Sequence, residues 1–180
     1  RYLVGANVCL TADCRQTAYM WSTHLAPATD AHWPRHVQKV LDYLATRPQP
    51  QVLMGDLNLW KWDQWSPRVT CGAATAPMAK AYDSIVRSGF VDAWAATQEG
   101  PGWTGMTSRR APRGNTYCGK ESNGTPYKRI DYVFTKGLTP VATELFGFTG
   151  PGKPHPSDHL GVKATLALQA RPVPSTAARR

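Results

Sequence analysis

Val52-Leu53-Met54-Gly55-Asp56-Leu57-Asn58 is the stretch on which the fold turns. Three consecutive apolar residues between a Pro-rich approach (Pro48, Pro50) and a Gly-Asp stop have the length and punctuation of a buried strand. Such a strand delivers Asp56 and Asn58 at its end. On an extended segment, residues two apart point the same way, so the carboxylate and the amide are expected to face one site.

Upstream, Tyr2 to Leu10 and Thr17 to Leu25 alternate as the two arms of a hairpin turning around Thr11-Ala12-Asp13, with His24 at the end of the second arm. From Asp30 the period changes. Val37, Val40, Leu41 and Leu44 are spaced for a helix, Asp30 is available to cap it, and Pro34 is tolerated in its first turn. Downstream, Met78, Ala81, Tyr82 and Ile85 mark a second helix that Gly89 ends, and Arg129 to Phe134 and Gly161 to Leu168 read as strands. Pro101 to Lys128, rich in Gly, Ser, Thr, Asn and Pro, reads as one long loop, and loops of that length tend to serve function. Strands and helices interleave with hairpins and without regular βαβ repeats, which points to a sheet-rich α/β sandwich. Residues 1–168 form the expected domain; residues 169–180 are expected to be a disordered basic tail.

The 180 residues carry 21 Lys and Arg against 12 Asp and Glu, a net charge of +9. A positive field of that size favours an anionic partner by concentrating polyanions near the surface, although solubility alone would also account for it. No apolar run approaches the roughly 20 residues of a membrane span, so no transmembrane segment is expected. The four cysteines, Cys9, Cys14, Cys71 and Cys118, lack the close CxxC pairs of a zinc site and read as disulfides, with free thiols in a cytoplasmic protein as the alternative.

Four segments place reactive side chains at strand ends: Ser22-Thr23-His24-Leu25, Gly55-Asp56-Leu57-Asn58, Arg129-Ile130-Asp131-Tyr132-Val133-Phe134 and Ser157-Asp158-His159. Singly each is ordinary, since Gly-Asp-X-Asn is usually a turn and a lone His is usually structural. Together they hold what phosphodiester hydrolysis requires: a group to position water, ligands for a hard cation, and a proton donor for the leaving oxygen. In this order they resemble the second half of the endonuclease/exonuclease/phosphatase superfamily, the deoxyribonuclease I-like group. The resemblance runs from about Tyr2 to Leu168 and implies an α/β fold, a deoxyribonuclease I-like β-sandwich flanked by helices, with the first half of the fold absent. The family pattern has an Asn and a metal-binding Glu in that first half, and neither has a counterpart here.

Carried over residue by residue, the resemblance implies that Asp56 orients or activates water and helps hold metal. Asn58 would contact the phosphate, and His159 would be the catalytic histidine with Asp131 as its carboxylate partner. Asp158 would be a metal ligand and His24 the second histidine at the phosphate or leaving group. Arg129, at the sheet end or site wall, Arg113 and Tyr127 are expected on the substrate side. The implied metal is Mg2+, because the ligands are hard oxygens, with Mn2+ or Ca2+ able to substitute.

The expected reaction is metal-dependent phosphodiester hydrolysis, foremost by a nuclease acting on DNA or RNA, on a monomer. Basic residues interleaved with Tyr117 and Tyr127 between Arg109 and Arg129 suit a nucleic-acid strand, and suit a solvated loop equally well. Trp60, Trp62 and Trp65 would fit a core, stacked bases or a lipid surface. A phosphatase or lipid phosphodiesterase, taking a phosphorylated small molecule or a phospholipid, is therefore the alternative, and a truncated binding module the third reading. Secreted deoxyribonuclease-like proteins carry a disulfide near the place of Cys71 and Cys118, which implies that bridge here. Cys9 with Cys14 would make a second, and the two together a secreted or otherwise extracytoplasmic location.

Overall fold

The computed structural model of the chain describes residues 2–26, 32–59, 75–98, 105–106, 126–147, 157 and 159–168. The strand expected at Val52-Leu53-Met54 is present: Gln51–Asp56 forms β3, the middle of a five-stranded sheet of order β1-β2-β3-β7-β4. The hairpin of β1 (Leu3–Cys9) and β2 (Thr17–Thr23) lies on one side of it, and β7 (Asp131–Lys136) and the two-residue β4 (Val91–Asp92) on the other. Its turn is held by the Cys14 amide donating to the Thr11 carbonyl at 2.9 Å, and Cys9 and Cys14 are joined in a disulfide, as expected.

β2 and β3 are parallel, with Trp21 opposite Leu53, so a crossover must connect them. Helix α1 (Trp33–Ala45) supplies it, buries Trp33, Val37, Leu41 and Leu44, and starts with Pro34 in its first turn. Its cap differs from the expectation: His32 occupies the N-cap position without a side-chain hydrogen bond, and Asp30 lies outside the described residues. At the other end, the buried Gln51 amide donates to the carbonyls of Leu44 and Arg47 at 3.1 and 3.0 Å, fastening the helix to the strand that follows it.

Helix α2 (Thr75–Arg87) packs beside α1 on the same face of the sheet. There Trp21, Leu53, Tyr82, Ile85, Tyr132 and Phe134 join the helices' apolar stripes in one core. Each fully buried Leu, Ile or Phe in it contributes about 1.5–3 kcal/mol. The opposite face carries a smaller cluster of Ala18, Val52 and Leu138, with Met20, Val133 and Leu166 packed against it. A second sheet, β8 (Leu138–Phe146) against β9 (Gly161–Leu168), supplies Leu138 and Leu166. Helices on one face and a second sheet on the other make the expected sandwich.

The structure departs from the sequence reading at several elements. β8 and the short helix α3 (Ala93–Thr97) were not expected. The segment read wholly as loop has paired ends, β5 (Gly105–Met106) with β6 (Pro126–Lys128). The strand expected from Arg129 begins at Asp131, leaving Arg129 and Ile130 ahead of it. Residues 169–180 lie outside the described residues.

Candidate active site

Adjacent strand ends bring the site together. β3 and β7 are antiparallel with Asp56 directly opposite Asp131. Just beyond them, the Leu25 amide donates to the Asp56 carbonyl at 2.9 Å and the Leu57 amide to the Ile130 carbonyl at 2.8 Å. The ends of β2, β3 and β7 are thus tied through the backbone, and His24, Asp56 and Asp131 converge. His159 arrives from the segment ahead of β9, its amide accepted by the Ser157 hydroxyl at 3.1 Å.

Asp56 is the centre. One of its oxygens lies 3.2 Å from His24 Nε2 and 4.0 Å from His159 Nε2, while the other accepts the Asn58 amide at 2.9 Å. His159 Nδ1 is 2.8 Å from Asp131 Oδ2. A carboxylate on Nδ1 selects the tautomer and aims Nε2, here toward Asp56. Burial, and then the negative charge of Asp131, push the Asp56 carboxyl above the usual range, against the opposing pull of the Asn58 amide and the two histidines. Two carboxylates that repel each other across a strand pair form a natural cation site. Asp56, Asp131 and His159 each present one donor atom, all within 4.8 Å of one another, so the group could hold a metal ion.

Asn58 corrects the picture of an extended Asp-X-Asn segment. β3 ends at Asp56, and Asn58 takes φ +50°, a left-handed conformation that Asn tolerates better than most residues. Its buried Nδ2 donates to the Leu25 carbonyl at 2.9 Å, so the amide braces the turn against the end of β2. Arg129 also stands apart from the cluster, 3% exposed, with its guanidinium 2.7 Å from Asp92. Asp92 is a residue that sequence reading missed. Asp158, Arg113, Trp60, Trp62, Trp65, Cys71 and Cys118 lie outside the described residues, as does the side chain of Tyr127.

Residues 3–159 match the model of the Endonuclease/Exonuclease/phosphatase family. The chain belongs to that family. None of the curated proteins matches it. An endonuclease/exonuclease/phosphatase from Beutenbergia cavernae is similar in structure, with a TM-score of 0.60 at 23% identity over 92% of this chain and 39% of that one. D. rerio TDP2 in complex with a single-strand DNA product gives a TM-score of 0.58 at 18% identity over 91% of this chain and 60% of that one. A mannosyl-6-phosphatase of Bacteroides thetaiotaomicron gives 0.50 at 17% identity over 84% and 52%. At these identities the likeness is one of fold, the deoxyribonuclease I-like sandwich, and the chain spans about 39% to 60% of these proteins. Members of this family generally hydrolyse phosphoesters, typically with divalent metals.

Proposed function

We propose that the chain carries the nucleophile-activating side of a divalent-metal-dependent phosphodiesterase that cleaves nucleic acid by attack of water on phosphorus. The observation that supports this most is Asp56 set between two imidazoles, one of them oriented by Asp131.

In this reading Asp56 positions the attacking water and takes up its proton. His159, its Nδ1 hydrogen held by Asp131, carries a second proton on Nε2 in the reacting form and donates it to the phosphate oxygen on which charge develops. His24, half exposed beside Asp56, serves the leaving oxygen. The donor set fits a hard cation: Asp56 and Asp131 supply oxygens whose mutual repulsion a cation would relieve, and Asp158 is the further ligand proposed from sequence. When bound, Mg2+, or Mn2+ or Ca2+ in its place, supplies charge neutralisation at the phosphate. Asn58 steadies this arrangement through Leu25, with any phosphate contact left to its remaining polar groups.

Nucleic acid is favoured as substrate by the net charge of +9 and by the basic residues and interleaved tyrosines between Arg109 and Arg129, among which Arg113 and Tyr127 are the proposed contacts. The DNA product held by the structurally similar TDP2 supports the same choice. Likeness to a mannosyl-6-phosphatase keeps phosphomonoesters as the second reading. No helix among the described residues is long and apolar enough to cross a membrane, and the Cys9–Cys14 bridge supports an extracytoplasmic location. Rates on plasmid DNA, single-stranded DNA, RNA, sphingomyelin vesicles and a sugar phosphate, compared at equal phosphate concentration, test the choice. The fastest turnover is expected on a polynucleotide, and turnover of the sugar phosphate or lipid alone would overturn it.

A further inference from the structure

Behind the site lies a buried polar group that the proposed chemistry does not use. Asp92 caps α3, one oxygen accepting the Trp94 and Ala95 amides at 3.1 and 3.3 Å and Arg129 Nη1 at 2.8 Å. Its other oxygen accepts the Tyr82 hydroxyl at 2.8 Å and the same Nη1 at 2.7 Å. Burial, and then the neighbouring Asp92, hold the Tyr82 phenol far above its ordinary range, so it keeps its proton and donates it to Asp92. The guanidinium stacks 4.7 Å from the centre of the Tyr132 ring. The Tyr132 hydroxyl is shared between the carbonyls of Arg129 and Leu59, both at 3.0 Å.

An ion pair this deeply buried is a weak source of stability, since apolar residues of like volume often serve as well or better. Here Arg129 Nε is also buried without a hydrogen-bond partner among the described residues, an added cost. What the group does supply is direction. Arg129 anchors the chain two residues before Asp131, and Tyr132 anchors it one residue after. Through Leu59, Tyr132 also grips the turn that follows Asp56.

We infer that Arg129, Asp92 and Tyr132 form a positioning device that fixes where Asp131 meets His159, and that Arg129 does not touch substrate. The inference deepens the proposed function and rests on it for its kinetic consequence. Its geometric consequence is independent of any activity: with the device removed, Asp131 no longer selects a single His159 tautomer.

The test uses the protein with its natural ends and two variants. Arg129→Met with Asp92→Asn removes the charge pair while keeping shape and the helix cap, and Tyr132→Phe removes only the hydroxyl, which serves if the first does not fold. On the best phosphoester, kcat should fall by about tenfold to a hundredfold, as for other small misplacements of a reacting group, with KM within about twofold. Ring 15N shifts of His159 should change from the Nδ1–H form to a mixture. Folded variants with full kcat, or with kcat kept and KM raised, would overturn the inference, the latter by making Arg129 a substrate ligand. If the unmodified protein hydrolyses no phosphoester, the proposed function fails, and the His159 shifts alone decide: an unchanged tautomer in the variants overturns the positioning role, and a changed one upholds it.

Discussion

Replacing Asp131 and His159 by Ala, singly and together, asks whether the two act as a unit. The 2.8 Å contact joins side chains that are 18% and 30% exposed, so solvent screens it only in part. A hydrogen bond to a charged group is worth about 1.5–3 kcal/mol net, and the partial exposure argues for the lower end. Loss of a donor aimed at the developing charge costs about 10²–10³ in rate, and Asp131→Ala should approach the loss from removing His159 because it frees the imidazole to turn and change tautomer. A coupling of about 1.5 kcal/mol corresponds to roughly tenfold. The double variant should therefore retain at least about ten times the rate given by multiplying the two single losses. The assay is kcat/KM on one phosphodiester at saturating Mg2+, with circular dichroism confirming the fold. Losses that multiply without excess would refute the pairing as a functional unit.

Gly55→Ala should disable the site with little change in the core: Gly55 has φ +126° and a Cβ there would collide with the Thr23 carbonyl, prising β3 from β2 between His24 and Asp56. A fall in kcat of at least about tenfold, with a melting temperature lowered by a few degrees, is expected, and unchanged kinetics would contradict it. Asp131→Asn should lower the Asp56 pKa in metal-free protein, read from its carboxyl 13C shift, because it removes the second cause of the upward shift. The sign for stability follows: a carboxyl raised on folding favours the native state below its unfolded pKa, and that advantage disappears as pH rises through the folded value. Metal-free wild type should therefore lose stability over that interval more than Asp56→Asn does, measured by urea melts at stepped pH.

Much of the fold was legible because its elements carry clean patterns. The hairpin and β9 repeat apolar residues at a spacing of two, α1 and α2 near three and a half, and β3 is a continuous apolar run between turn residues. β8 has no such pattern, since Pro140 interrupts it and the register shifts between Pro140 and Ala142. α3, at five residues, is too short to show two turns of apolar periodicity, although Asp92 before Ala-Trp-Ala-Ala is the pattern of a cap. The convergence of His24, Asp56, Asp131 and His159 was legible because the first three sit at the ends of readable strands and His159 lies two residues ahead of another. Asn58 was misjudged in conformation because the strand's end cannot be fixed to one residue from pattern alone. The role of Arg129 was hidden for a different reason: its partner Asp92 lies 37 residues away, joined to it only by the packing of β4 and α3 against β7.

The proposed metal-dependent hydrolysis depends on Asp56 more than on any other side chain of the site. Its most direct test is hydrolysis by wild type and Asp56→Asn, each assayed with chelator and after Mg2+ is restored. Chelator is expected to abolish wild-type activity, Mg2+ to recover it, and Asp56→Asn to stay at least about a hundredfold below the Mg2+-restored wild type with or without metal. Wild-type hydrolysis undiminished in chelator, or an Asp56→Asn variant as fast as wild type, would contradict it.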